Sequence, residues 1–396
     1  MDFIDTSIQI ATPERILVDV DRFHIPDKQI LFLFGESGIG KSLIARALFG
    51  LLDPRELDIR IDGQPYARYL YTERAKYLRE HGFFVFQEPS SHLNPLMTVR
   101  RQLREGSLAN VSGEPEILTE LWQGESGAGI GNILSVYPRP YQPSGGEKQR
   151  ILIAMAFKKI RLSATAAYGD SGLFVFDEAS GSLDDALRNR FLTALFDRFR
   201  DHSFTTLFIT HDYSMISAAL ALGPDIRDRF VFRELALNGE RTAVKDFSPS
   251  TYTTWISGRA AKKKHAPAKN GAVLEVQSGV RVLGRWLLIS RDGTETPEEP
   301  LTVHKGRITY LKAPSGAGKT SFAKALMGII PSRNLRVRLG NLWLSEHTPE
   351  SSWRQEVQGR LATMVFQHAD EALNQQARVS EILDGLPLPE RYRKTG

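Results

Sequence analysis

No cysteine occurs among the 396 residues of the chain, which excludes disulfides, cysteine-ligated zinc and iron–sulfur clusters and suits a reducing compartment. No apolar run approaches the roughly 18 residues of a membrane-spanning helix, so the chain is not expected to cross a bilayer by itself. Its start, Met1-Asp2-Phe3-Ile4-Asp5, is acidic where a secretory signal would be basic. Charge of one sign is not in large excess either. The 51 basic and 46 acidic residues leave a net +5, which reads as an ordinary solvated surface before it reads as a nucleic-acid or lipid patch. What is present is a 41% hydrophobic share, enough at this length for about two or three domains with cores of their own.

Comparing the chain with itself reveals a repeat. Lys41-Ser42-Leu43-Ile44-Ala45-Arg46-Ala47-Leu48-Phe49-Gly50 recurs 278 residues later as Lys319-Thr320-Ser321-Phe322-Ala323-Lys324-Ala325-Leu326-Met327-Gly328. Val85-Phe86-Gln87 and Leu93-Asn94 recur 280 residues on, as Val365-Phe366-Gln367 and Leu373-Asn374. Two motifs returning in order and almost in step indicate a duplicated domain. Between the copies, residues 258–271 are basic, small and poor in large apolar side chains, the composition of a flexible linker. Within each copy short apolar runs precede glycine-rich turns and helix-patterned segments, which predicts an α/β fold with a largely buried parallel sheet.

Gly35-Glu36-Ser37-Gly38-Ile39-Gly40-Lys41-Ser42 follows the apolar run Ile30-Leu31-Phe32-Leu33-Phe34 and opens a helical pattern. This is G-x-x-x-x-G-K-[ST] in its required strand-to-helix setting. The glycines let backbone N–H groups converge on phosphate oxygens, and the helix N-terminus adds a favourable dipole. Lys41 is then expected to neutralise the β- and γ-phosphates of a nucleotide, and the Ser42 hydroxyl to bind Mg²⁺.

Further along, Ser144-Gly145-Gly146-Glu147-Lys148-Gln149-Arg150 is a glycine-rich turn before a helix, and Leu173-Phe174-Val175-Phe176-Asp177-Glu178 is an apolar run ending in two carboxylates. With the phosphate loop, this set resembles the ATP-binding cassette family of P-loop ATPases. The resemblance implies a mostly parallel core sheet with an antiparallel subdomain and a helical subdomain, the last at about residues 88–150. It implies that Asp177 is linked to Mg²⁺ and that Glu178 is the general base for the attacking water. Gln87 takes the position of the glutamine that approaches Mg²⁺ and water and reports nucleotide state to a membrane partner. Ser182-Leu183-Asp184 resembles the family's dimer-interface loop, and His211, after Leu207-Phe208-Ile209-Thr210, its switch histidine. Ser144, Gly145 and Gly146 would contact the γ-phosphate held by an opposite cassette.

Residues 86–99 resemble the corresponding region of importers of oligopeptides, dipeptides, nickel and glutathione. The implied role is an ATPase on the cytoplasmic face of the cell membrane that drives transmembrane permease subunits for import of peptides or similar small solutes, without direct contact with nucleic acid; the alternatives are a soluble tandem-cassette protein acting on ribosomes or DNA and a nucleotide-binding regulator with little turnover. Some positions depart from the pattern. Ala179 and Ser180 stand where proline and threonine are usual, and no adenine-stacking aromatic is evident near Ile10 or Ala11. The chain is expected to divide into a first cassette at 1–257, a linker at 258–272 and a truncated second cassette at 273–396. In the second copy Ser315, Gly316, Gly318, Lys319, Thr320 and Gln367 are the expected nucleotide contacts, with Ala313 replacing the first glycine. The spacing places a second signature and a second acidic strand end beyond residue 396. Hydrolysis is therefore expected to need a second cassette, from another copy of the chain or from a separate subunit.

Overall fold

The computed structural model describes residues 2–89, 92–107, 113–122, 130, 131, 134, 143, 145–165, 172–181, 183–239, 241–261, 271–277, 279–287, 300–313, 317–366, 376–378 and 381. The chain divides into two compact units, Met1–His265 and Ala266–Gly396.

Among the described residues of the first unit ten strands form two sheets. β1 (Asp2–Ala11), β2 (Ile16–Pro26), β4 (Asp58–Ile61) and β5 (Gln64–Pro65) make an antiparallel sheet in the order β2-β1-β4-β5. The second sheet runs β10-β9-β3-β8-β7-β6, built from β3 (Ile30–Phe34), β6 (Phe83–Val85), β7 (Leu173–Asp177), β8 (Thr205–Ile209), β9 (Phe230–Asn238) and β10 (Arg241–Asp246). Its pairings are parallel from β9 to β6, and β10 closes one edge antiparallel.

The continuous apolar runs of β3, β7 and β8 are explained by burial on both faces. Alternate residues go to opposite sides: Phe32, Phe34, Phe174, Phe176 and Phe208 enter one core, and Leu31, Leu33, Val175, Leu207 and Ile209 the other. The first core is packed by helices α6 (Gly145–Ser163) and α7 (Asp185–Asp201); the second by α1 (Lys41–Phe49) and the antiparallel sheet. Rings in the first core interlock, with Phe32 and Phe208 centroids 5.4 Å apart and Phe176 and Phe208 5.7 Å apart. Asp184 caps α7 through its side chain, which accepts from Leu187 N–H at 2.9 Å. The dimer-interface loop expected at Ser182–Asp184 therefore also starts a helix; Ser182 lies outside the described residues.

The second unit repeats the antiparallel sheet. β11 (Ala272–Val276), β14 (Leu301–His304), β16 (Arg336–Leu339) and β17 (Leu342–Ser345) pair in the order β14-β11-β16-β17, all antiparallel. A small sheet of β12 (Val280–Val282), β13 (Arg285–Leu287) and β15 (Ser332–Arg333) joins it. The core contains Val276, Val282, Phe322, Val337, Leu344 and Trp353.

Among the described residues of the second unit the repeat does not extend to a parallel sheet. The apolar run before the second glycine-rich loop, which corresponds to β3, forms no strand, and Ile308 and Tyr310 are 99% and 84% exposed. In the first unit β3 lies between β8 and β9. Among the described residues of the second unit no strand flanks the run, and an apolar run without ladder partners has no buried face to occupy. The expected linker is also shorter at its start, because a helix covers Pro249–Ala261 and takes in residues 258–261. Ala260 and Ala261 favour helix. Residues 262–270 lie outside the described residues.

Candidate functional site

Parallel pairing in the first unit brings the C-terminal ends of four strands to one edge of the sheet, the place where open α/β folds bind ligands. Leu33 of β3 is level with Ile209 of β8, Ile209 with Asp177 of β7, and Phe176 with Val85 of β6. The loops after these strands carry Gly35, His211, Glu178 and Gln87. Strand order then decides who meets whom: β7 lies between β8 and β6, so Glu178 lies between His211 and Gln87.

The contacts follow. Glu178 Oε2 accepts from Gln87 Nε2 at 2.9 Å, and Glu178 Oε1 lies 2.9 Å from His211 Nδ1. In the tautomer that carries its proton on Nδ1, His211 donates to this carboxylate. Glu178 is held in the left-handed region at φ 46°, with its N–H donating to Ile209 C=O at 2.9 Å. A non-glycine residue there costs about 1–3 kcal/mol and points to a functional constraint. Its side chain is 12% exposed and that of His211 57%, so one end of the trio is open to solvent.

The phosphate loop turns on glycines at positive φ. Gly35 (148°) and Gly40 (106°) also tolerate no side chain: a Cβ would lie 2.6 Å from Leu235 O and 2.4 Å from Val18 Cγ2. Glu36, Ser37 and Gly38 form the exposed crest of the loop. Lys41, 4% exposed, donates from Nζ to the carbonyls of Gly35 and Glu36, both at 2.8 Å. Burial pushes its pKa down, against the pull of Glu178 and Asp177.

Ser42, in the first turn of α1, donates to Asp177 Oδ1 at 2.6 Å. Asp177 is fully buried, and burial raises its pKa despite the Ser42 bond and the nearby Arg46 and Lys41 charges. Asp177 Oδ2 is buried with no hydrogen-bond partner, an orphaned anionic oxygen beside a hydroxyl. Those are hard oxygen donors of the kind Mg²⁺ takes, and Gln87 stands on the far side of Glu178. Of the three residues expected to hold the metal, Ser42 and Asp177 are in contact, and Gln87 bonds to Glu178, the residue after Asp177.

Gly145 and Gly146 form the first turn of α6 and, among the described contacts, bond to none of these residues. The helix does reach the Gln87 loop, where Gln149 Nε2 donates to Phe86 C=O at 3.2 Å. Ser144 lies outside the described residues, as do Ser315, Gly316 and Gln367. In the second unit Gly318 adopts φ 93° and Lys319 Nζ donates to Ala313 C=O at 2.5 Å, the counterpart of the bond from Lys41 to Gly35. Ala313 is not in the left-handed region, so the alanine there carries no backbone strain. Thr320 is exposed, and no carboxylate stands beside it among the described contacts.

Sequence reasoning gave no role to Arg46, whose Nη2 lies 3.7 Å from Asp177 Oδ2. The signal was its place four residues after Ser42 on one helix face. The position expected for an adenine-stacking aromatic holds Ile10, which is fully buried in the sheet core.

Residues 18–161 match the family described as ABC transporter. A peptidoglycan transport ATP-binding protein, YejF, of Agrobacterium fabrum is 26% identical over 95% of this chain and 68% of its own length. An oligopeptide transport ATP-binding protein, OppD, of Lactococcus lactis subsp. cremoris is 27% identical over 52% of the chain and 59% of its own. A putative peptide import ATP-binding protein of Brucella abortus is 33% identical over 51% and 57%. The chain thus spans about two thirds of the first relative and under three fifths of the other two.

Proposed function

We propose, from the match of residues 18–161 to the family described as ABC transporter and from the geometry of the site, that the chain binds and hydrolyses ATP to drive import of peptides or similar small solutes through a membrane permease. The observation that carries this reading is the meeting of His211, Glu178 and Gln87 on one carboxylate, at the sheet edge that also holds Lys41 and the pair Ser42–Asp177. The names of the relatives support the peptide class of cargo.

The residues divide the work. In the free loop two carbonyls hold the Lys41 ammonium; the β- and γ-phosphates replace them. The N–H groups of residues 38–42 receive phosphate oxygens at the start of α1. Ser42, Asp177 and Gln87 would hold Mg²⁺, which when bound would supply positive charge against the phosphates. Glu178 accepts a proton from water, and the His211 and Gln87 bonds aim its two oxygens. The strained φ of Glu178 fixes where that base points.

Gly145 and Gly146 do not join this cluster, so the signature turn serves a site completed by another cassette, either a second copy of the chain or a separate subunit. The working assembly contains permease subunits and sits on the inner face of the cell membrane. The described residues include no helix long and apolar enough to cross one. The second phosphate loop, with Gly318, Lys319 and Thr320, is a further nucleotide contact, and among the described contacts no carboxylate stands beside Thr320.

Phosphate release from ATP by the purified chain, compared with Lys41→Met, tests the reading. Release by the parent and none by the variant is expected. Equal release by both would overturn it.

A further inference from the structure

Helix α1 presents Ser42 and Arg46 one turn apart on one face, and the two share a single buried carboxylate. Ser42 Oγ takes Asp177 Oδ1 at 2.6 Å. Arg46 Nη2 stands 3.7 Å from Asp177 Oδ2, within ion-pair reach but too far for a hydrogen bond. Both sides of that gap have something unmet: Asp177 Oδ2 and Arg46 Nε are buried and lack hydrogen-bond partners. Arg46 is otherwise loosely held, with its side chain 36% exposed and its guanidinium carbon 6.0 Å from the centre of the Phe86 ring. Phe86 directly precedes Gln87.

A buried carboxylate needs a cation. Lys41 does not serve, because its ammonium is bonded to the Gly35 and Glu36 carbonyls. Arg46 is the cation paired with Asp177 among the described ion pairs. It reaches the oxygen that a metal would need, and reaches it loosely.

We propose that Arg46 is a placeholder cation: it pairs with Asp177 while no divalent ion is present and yields that oxygen when one arrives. The inference rests on the nucleotide-site reading above. Arg46 is a positioning residue, acting through Asp177 and touching neither phosphate nor water. The placeholder keeps the carboxylate from collapsing onto another donor, at the cost of competing with the metal. The side chain has somewhere to go, since its outer part is solvated and the Phe86 face lies beside it.

The test measures Mn²⁺ binding to the full chain with saturating ADP by electron paramagnetic resonance, and melting temperature in EDTA. Arg46→Met is expected to bind Mn²⁺ about tenfold more tightly, the size Coulomb's law gives for removing one charge beside a divalent ion in a water-like dielectric. In EDTA the same variant should melt below the parent, and Mn²⁺ with ADP should restore it. Arg46→Lys keeps the charge and should stay within about twofold of the parent in affinity. If Arg46→Met does not fold, Arg46→Gln carries the same expectation. Mn²⁺ affinity unchanged or weakened in the neutral variant, with the parent binding normally, would overturn the placeholder role alone. A parent that binds no Mn²⁺ with ADP would overturn both this and the nucleotide-site reading.

Discussion

Replacing Glu178 by glutamine separates chemistry from architecture, because the contacts of this side chain can be rebuilt in neutral form. In the parent its two oxygens accept from Gln87 Nε2 and His211 Nδ1, each at 2.9 Å. In Glu178→Gln the amide oxygen can still accept from Gln87, and the amide nitrogen can donate to His211 Nδ1 once the ring proton moves to Nε2. No buried polar atom need be stranded, so stability should change by under ~1 kcal/mol. The proton acceptor, however, is gone. General-base catalysis contributes about a hundredfold to ten-thousandfold, or ~2.7 to ~5.4 kcal/mol of barrier. Single-turnover phosphate release should fall by that factor, while ATP affinity, read by equilibrium binding, stays within about threefold. A loss of turnover below tenfold would refute Glu178 as the base. A large loss of ATP affinity or melting temperature would show that its place in the trio is structural.

Other outcomes follow from the same geometry. His211→Ala leaves Glu178 Oε1 without its partner and should slow phosphate release by about 1–3 kcal/mol of barrier with nucleotide binding little changed; equal loss in both assays would place His211 on the phosphates instead. Gly40→Ala forces a Cβ to within 2.4 Å of Val18 Cγ2 at φ 106°. It should cost about 1–3 kcal/mol in chemical denaturation and weaken ATP binding, and adding Val18→Ala should recover only the steric part. On the surface, the Arg55 guanidinium holds the Asp53 carboxyl down to about 2. A depressed acid contributes above its unfolded pKa and loses that contribution as pH falls towards 2. Carboxyl NMR should show Arg55→Gln raising the Asp53 pKa part of the way to the ordinary carboxylate range, because the residue 55 N–H still donates to Asp53 Oδ1.

The sequence by itself determined which residues could act and the local form each would take. Gly35 and Gly40 precede Lys41 because only glycine fits their φ and their neighbours, and that need is local enough to leave a motif. The runs at β3, β7 and β8 are apolar at every position because both faces are buried, and such a run is legible without knowing its partners.

Tertiary structure decided who meets whom. Gln87, Glu178 and His211 lie far apart in sequence, and the strand order that puts β7 between β6 and β8 sets Glu178 as their common acceptor. No spacing encodes that order. The pairing of Arg46 with Asp177 leaves no mark in the sequence, because an arginine on a helix face has the pattern of a solvated residue whether or not a buried carboxylate lies opposite it. The apolar run at Ile308–Leu311 marks the limit from the other side. It has a strand's composition and forms none among the described residues, because a strand is completed by backbone partners that its own sequence cannot supply.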